Sequence, residues 1–194
     1  MYVALEGIDT CGKSTQMALL KDFFASKAQE VIFTCEPGGS ELGIELRKIL
    51  LEKHFKLSKE AEVLLFLADR AQHTNEILIP NRHKWIFADR SLISGIAYAK
   101  DFSYEQLKIL NLFATQGVLP QKVIILEMTQ DLLKERLAQK GQDKIEQRGI
   151  AYLLALQERI IETTQKLGME YLRLSAKLPK EEITQKILDF VCVA

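Results

Sequence analysis

Gly7-Ile8-Asp9-Thr10-Cys11-Gly12-Lys13-Ser14 combines residue types and spacing that suit one task, the holding of a polyphosphate. Glycines let successive backbone N–H groups turn inward toward phosphate oxygens, and a helix N-terminus just behind them adds partial positive charge. Lys13 has the reach to meet the β- and γ-phosphates, and the Ser14 hydroxyl can ligate Mg²⁺. An ordinary glycine turn ahead of a helix is the competing reading, and context separates the two. Before the run, Tyr2–Glu6 is a short, mostly apolar strand candidate; after it, Met17, Leu20 and Phe24 recur at helical spacing. Strand, glycine loop and helix is the setting this chemistry needs, so the chain is expected to bind a nucleoside triphosphate. A second cluster follows Trp85-Ile86-Phe87-Ala88. Asp89 ends this strand candidate, the usual place for a carboxylate that holds Mg²⁺ through its waters, and Arg90 stands directly behind it.

These groups need a scaffold, and the apolar pattern supplies one. Val31–Thr34, Val123–Leu126 and Tyr171–Leu174 are three more short apolar runs, which gives five strand candidates in all. Leu42, Leu46 and Ile49 suggest a helix, as do the stretch from about Ser58 to Ile79 and the trio Leu107, Leu110 and Ala114. Leu153, Leu156, Ile160 and Leu167 mark a long helix, and Ile183, Ile187 and Phe190 the last one. Short apolar strands alternating with helices predict an α/β fold, a parallel sheet of about five strands sandwiched by helices. Ligands of such sheets collect at the carboxyl ends of the strands, where Gly7–Ser14, Asp89 and Arg90 all fall. No Pro/Gly/Ser-rich linker interrupts the chain, so residues 1–194 are read as one domain. Residues 138–149 stand apart: Gln139-Lys140-Gly141-Gln142-Asp143-Lys144 is wholly polar, either a solvated loop or a lid that brings cations over a triphosphate.

Composition excludes several classes. The 194 residues carry 26 basic and 26 acidic side chains, so the electrostatic footprint of a nucleic-acid binder is missing. No apolar run approaches membrane-spanning length, and the first strand candidate begins too early for a signal peptide, so a cytoplasmic location is expected. Cys11, Cys35 and Cys192 form no C-x-x-C pair and do not cluster with histidine, which disfavours disulfide and zinc readings. Cys11 is read as a small space-filler, with a thiol open to alkylation only if exposed.

A phosphate loop alone does not define a reaction. The Asn-Lys-x-Asp motif by which GTPases read their base is absent, and large ATPase machines usually need more chain. Five segments, in order and spacing, carry something more specific. They are Glu6–Asp9 leading into Gly12-Lys13-Ser14-Thr15; Glu36-Pro37-Gly38-Gly39 with Arg47; Leu65-Phe66-Leu67-Ala68-Asp69-Arg70-Ala71-Gln72-His73; Asp89-Arg90-Ser91 through Ser94, Ala97 and Tyr98; and Asp143-Lys144-Ile145-Glu146. Together they resemble the thymidylate kinase family, in its bacterial branch, nearly from end to end. The resemblance implies ATP as co-substrate with Mg²⁺, dTMP as acceptor, and a homodimer whose interface an apolar helix such as Ser58–Ile79 could supply.

It also implies roles. Gly7, Ile8, Asp9, Thr10, Cys11, Gly12, Lys13, Ser14 and Thr15 would hold ATP, with Ser14 and Asp89 at the metal. Asp9, Glu36, Pro37, Arg47, Phe66, Arg70, Arg90, Ser94 and Tyr98 would hold the acceptor. Lys13, Arg90, Asp9, Arg136 and Lys144 would be catalytic, Lys140 and Arg148 being further candidates for the lid cation. Arg47 and Arg90 correspond to the clamp on the acceptor phosphate, a task that suits the planar guanidinium fork. Phe66 and Arg70, four apart on one helix face, correspond to the thymine stack and the donor to its O4. Several residues also have a plainer reading: core packing for Phe66 and Tyr98, a surface ion pair with Asp69 for Arg70, a solvated side chain for Arg47. Three departures from the family pattern stand out. Cys35 replaces a usual Arg, Gly95 and Ala99 replace polar residues near the base's N3 and O2 edges, and the loop lacks the Arg that some members carry beside Thr10. Another nucleotide or deoxynucleoside kinase of this fold, or a nucleotide-dependent switch without a small acceptor, are the remaining alternatives.

Overall fold

The computed structural model describes residues 1–52, 55–140 and 149–192. Five parallel strands form one sheet: β1 (Tyr2–Glu6), β2 (Val31–Cys35), β3 (Trp85–Asp89), β4 (Lys122–Glu127) and β5 (Glu170–Ser175), in the spatial order β2-β3-β1-β4-β5. All five were expected from the apolar runs, to within two residues at each end. Helices link the strands: α1 (Lys13–Ser26), α2 (Glu41–Arg47), α3 (Lys59–His73), α4 (Leu92–Tyr98), α5 (Tyr104–Ala114), α6 (Gln130–Lys140), α7 (Ile150–Lys166) and α8 (Lys180–Cys192). Single π-helical turns extend α2 over Lys48–Glu52 and α3 over Thr74–Leu78.

Burial explains why the central strands are apolar throughout rather than alternating. Every residue of β1 is buried, and Val123–Leu126 of β4 are fully so, because helices cover both faces. Val3, Leu5 and Phe87 face the larger core, with Leu20 and Phe24 of α1 and Ile187 and Val191 of α8. Phe87 stacks on Phe33 with ring centroids 5.5 Å apart. Tyr2, Ile86 and Ala88 face the opposite side and meet Leu78.

Three elements differ from expectation, one being α6, which was not among the expected helices and takes in residues 138–140 of the polar segment. The helix α4 has no amphipathic period, since Leu92, Ile93, Ser94, Ile96 and Ala97 are all buried. In α5 the inward residues are Leu107, Asn111 and Ala114, whereas Leu110 points outward. The topology fixes where chemistry can occur. β1 is hydrogen-bonded to both β3 and β4, and chain leaving β1 crosses to β2 on one side while chain leaving β3 crosses to β4 on the other. The carboxyl ends of β1, β2 and β3 therefore open onto one crevice.

Candidate active site

The loop after β1 is built around Lys13. Lys13 is 6% exposed, and its ammonium donates to the carbonyls of Gly7 at 3.0 Å and Ile8 at 3.2 Å, which holds the charge on the loop's inner side. Gly12 precedes α1 in the left-handed conformation, with φ of 106°, and no side chain caps the first turn. The leading N–H groups of α1 are thus free to meet an anion. Cys11 is 2% exposed, and burial pushes its thiol up despite the opposing charge of Lys13. It fills space under the loop and is closed to alkylation. Arg136 of α6 grips the loop from outside, donating to the Thr10 carbonyl at 2.8 Å and to the Ala176 carbonyl at 2.6 Å. A cation therefore sits beside Thr10 after all, contributed by α6.

The end of β3 supplies the second wall. Arg90 adopts a left-handed φ of 75°, which for a residue with a side chain costs about 1–2 kcal/mol. The turn carries its guanidinium back across the sheet edge. There it meets Asp9 at 2.5 Å, the Ser94 hydroxyl at 3.0 Å and the Gly7 carbonyl at 3.3 Å, and it lies 5.0 Å from the Tyr98 ring centre. Behind it stands Glu6, the last residue of β1, with no solvent exposure. Glu6 accepts from Ser91 at 2.7 Å and Ser94 at 2.5 Å. Burial pushes its carboxyl above the usual range, and the Ser94 and Ser91 bonds only partly oppose this. Ser91 has a second task, capping α4 by accepting from the Ile93 N–H. Arg90, Ser94 and Glu6 form one relay that fixes the guanidinium.

The turn after β2 is held from α3. Glu36, 4% exposed and followed by a cis peptide bond to Pro37, pairs with Arg70 at 2.7 Å and with the His73 Nδ1 at 2.8 Å. Burial alone would push the Glu36 carboxyl up; the Arg70 guanidinium, then His73, override it and hold it below the usual carboxylate range. Asp69 accepts from the Gly38 N–H at 2.9 Å, and burial raises its carboxyl. Gly39 is packed so closely that a Cβ there would lie 2.5 Å from His73 and 2.6 Å from the Cys35 carbonyl. Arg47, at the end of α2, crosses over this turn and donates to the Pro37 carbonyl at 2.7 Å.

A cleft of about 1050 Å³ joins the three walls. Asp9–Gln16, Glu36, Arg47, Asp89, Arg90 and Arg136 all line it, so a triphosphate loop and three arginines from other elements face the same space. The Ser14 hydroxyl and the Asp89 carboxylate open into it and make no hydrogen bond among the described residues. Two hard oxygen donors beside a phosphate loop suit Mg²⁺, which is usually bound by one or two protein groups plus phosphates. Among the described residues no cluster of three or more His, Cys, Asp or Glu could hold a metal by itself.

The remaining expected residues fall in two groups. Phe66 and Arg70 are on α3, Ser94 and Tyr98 on α4, and none of the four is among the residues that line the cleft. Arg70 is neither on the surface nor paired with Asp69: it is 3% exposed and engaged with Glu36, the Asn111 side chain and the Ser91 carbonyl. Lys144 and Arg148, with the core of the 138–149 segment, lie outside the described residues, as do the surroundings of the Lys140 side chain. Glu6, Asp69, His73, Ser91 and Asn111 complete the site although sequence reasoning assigned them no role. Glu6, Asp69, His73 and Ser91 fall within the segments that carry the resemblance; Asn111 does not, and its one local trace is a polar residue one helical turn from Leu107 on the inward face.

A phosphate loop after the first strand, an Asp-Arg pair after the third and a 2-3-1-4-5 parallel sheet define a phosphotransferase of the P-loop class. A family model described as thymidylate kinase matches residues 5–187. The chain is 56% identical to the thymidylate kinase of Wolinella succinogenes, over 97% of each chain. It is 51% identical to that of Campylobacter jejuni subsp. doylei, over 98% of this chain and all of the relative, and 48% identical to that of Aliarcobacter butzleri over the full length of both. The chain belongs to the thymidylate kinase family.

Proposed function

We infer that this protein transfers the γ-phosphoryl group of ATP to the phosphate of dTMP, yielding dTDP for dTTP synthesis. The observation that carries the reading is the single cleft onto which Lys13, Arg47 and Arg90 all open. One cation belongs to a triphosphate loop and two belong to elements that a bare hydrolase would not need there. The acceptor is already an anion at neutral pH, so no strong base is required and the task is positioning and charge neutralisation. Unit charges 4 Å apart repel by about 4 kcal/mol at an effective dielectric near 20. Lys13, on the loop, draws charge from the β- and γ-phosphates. Arg90, oriented by Asp9 and by Ser94 on Glu6, directs its fork at the acceptor phosphate, and Arg47 closes the clamp from the turn after β2. Asp9 touches both sides, being part of the loop and paired with Arg90. Ser14 and Asp89 would hold Mg²⁺, which when bound neutralises phosphate charge in the transition state. Arg136 steadies the loop beside Thr10, and Lys144 remains the proposed lid cation. Phe66 and Arg70 recognise the thymine ring, with Ser94 and Tyr98 along the sugar and base.

The working form is a homodimer in the cytoplasm. Leu64 of α3 and Ile109 and Phe113 of α5 are 59%, 66% and 83% exposed, on helices that pack side by side. Large apolar side chains grouped this way support an isologous interface. Among the described residues no helix is long and apolar enough to cross a membrane. The functional test is the rate of dTDP formation from ATP and dTMP, with the Lys13→Ala and Arg90→Ala variants as controls. Near wild-type turnover in both variants contradicts the assignment.

A further inference from the structure

Gly95 lies on α4 where that helix passes Arg70, and the structure gives its lack of a side chain a physical reason. Arg70 lies flat against α4 at this point. A Cβ built on Gly95 would come within 2.3 Å of its Nη1 and 3.0 Å of Cζ and Nη2. A contact under 3.0 Å with a guanidinium pinned on three sides cannot be absorbed by a swing of the side chain. The pins are strong: Nε donates to Glu36 at 2.7 Å, Nη2 to the Ser91 carbonyl at 3.1 Å, and Nη1 to the Asn111 Oδ1 at 2.6 Å. Asn111 is itself fixed, 1% exposed, with its Nδ2 donating to the Leu107 carbonyl at 2.7 Å. That bond also settles which end of the carboxamide is the oxygen. The Asn111 acceptor is thus oriented by its own helix before Arg70 meets it.

We propose that Gly95 and Asn111 are paired positioning residues that set the Arg70 guanidinium, and through it the preference for a base with a carbonyl at position 4. Gly95 clears the space, and Asn111 fixes the rotation of the fork within it. This proposal rests on the reading above in which Arg70 meets the thymine O4. Two N–H groups of Arg70 remain after its three protein partners are counted. Their direction is dictated by the Glu36 and Asn111 bonds because the guanidinium is planar. A guanidinium has donors only, so it favours the C4 carbonyl of thymine and uracil and is mismatched to the C4 amino group of cytosine. Sites that read a base by buried hydrogen bonds discriminate steeply, and they do so only while the donor is held in place.

The test compares steady-state kinetics of Gly95→Ala, Asn111→Leu, Asn111→Asp and Arg70→Ala with the wild type, using dTMP and dCMP as acceptors. Gly95→Ala raises helix propensity but crowds a buried ion pair, so the melting temperature of each variant is measured beside its kinetics and the assays are run well below it. Expected for Gly95→Ala and Asn111→Leu is a rise of about tenfold in KM for dTMP, the scale of one lost charge-assisted bond. KM for ATP should be unchanged, and the dTMP-over-dCMP preference should fall. Asn111→Asp keeps an acceptor oxygen for Arg70 but loses the donor to the Leu107 carbonyl, so it should restore only part of the affinity. In the double variant Gly95→Ala/Arg70→Ala the loss should equal that of Arg70→Ala alone, since the added methyl then has no guanidinium to displace. An additive loss overturns the coupling. Unchanged dTMP kinetics in Gly95→Ala, beside a clear defect in Arg70→Ala, overturn the positioning role while leaving the base-reading role intact. Unchanged dTMP kinetics in Arg70→Ala overturn both.

Discussion

Arg90 shows how fully a single side chain can be held in place at the mouth of a cleft. Its left-handed backbone is unfavourable, and its guanidinium is held by Asp9, Ser94 and Gly7 before any substrate arrives. Such an arrangement is worthwhile where charge must be met at a fixed point, since preorganised donors need not reorganise during reaction. Arg90→Ala should therefore lower turnover by about 10²–10³-fold, the range for loss of one preorganised donor. Arg90→Lys should recover little of it, because an ammonium cannot reproduce the two-pronged fork. Single-turnover rates with circular dichroism as a fold control check both. Lys13 was legible from the sequence because its role depends on neighbours in the chain. The support of Arg90 was not: Glu6 lies 85 residues from Ser91, and a buried strand-end carboxylate has no local signature.

Among the elements, α3 does the organising. Asp69, Arg70 and His73 lie at its C-terminal end and converge on the Glu36–Gly39 turn, so this wall of the cleft is a helix end packed on a loop. The Glu36–Arg70 pair is buried on both sides, and removing one partner strands the other, at a cost of about 3–5 kcal/mol. Glu36→Gln should accordingly lower thermal stability sharply near neutral pH. The sign of the pH effect follows from the carboxyl lying below its ordinary value in the fold. Its contribution is fully present above the unfolded carboxylate pKa of about 4.3 and is lost as pH falls through the lower folded value. Melting temperatures of wild type and Glu36→Gln should converge as pH drops below about 4. A gap that stays constant down to acid pH contradicts the ion-pair account. The sequence made α3 plain through its long apolar pattern, but α4 was hidden. Seven residues buried on nearly every side have neither length nor period to announce a helix, and Gly95 weakens the local preference further.

For the whole molecule, the α/β class and the strand positions were readable because buried parallel strands are short apolar runs between helical stretches. The order of the strands, which brings β1 beside β3, was not written in any one segment. It is this order that places the phosphate loop against Asp89 and Arg90. Exposed Leu64, Ile109 and Phe113 suit burial against a second copy. Replacing Phe113 with Asp should convert dimers to monomers in sedimentation velocity, and an unchanged dimer excludes this face as the interface. The account stands or falls on what receives the phosphoryl group. The decisive measurement is product analysis with ATP and, separately, dTMP, dUMP, dCMP, dGMP and thymidine. The predicted result is rapid dTDP formation, slower leakage to dUDP because a single methyl group is worth only about 1–3 kcal/mol, and little product from the others. Slow ATP hydrolysis with no diphosphate formed from any monophosphate is the result that would contradict it.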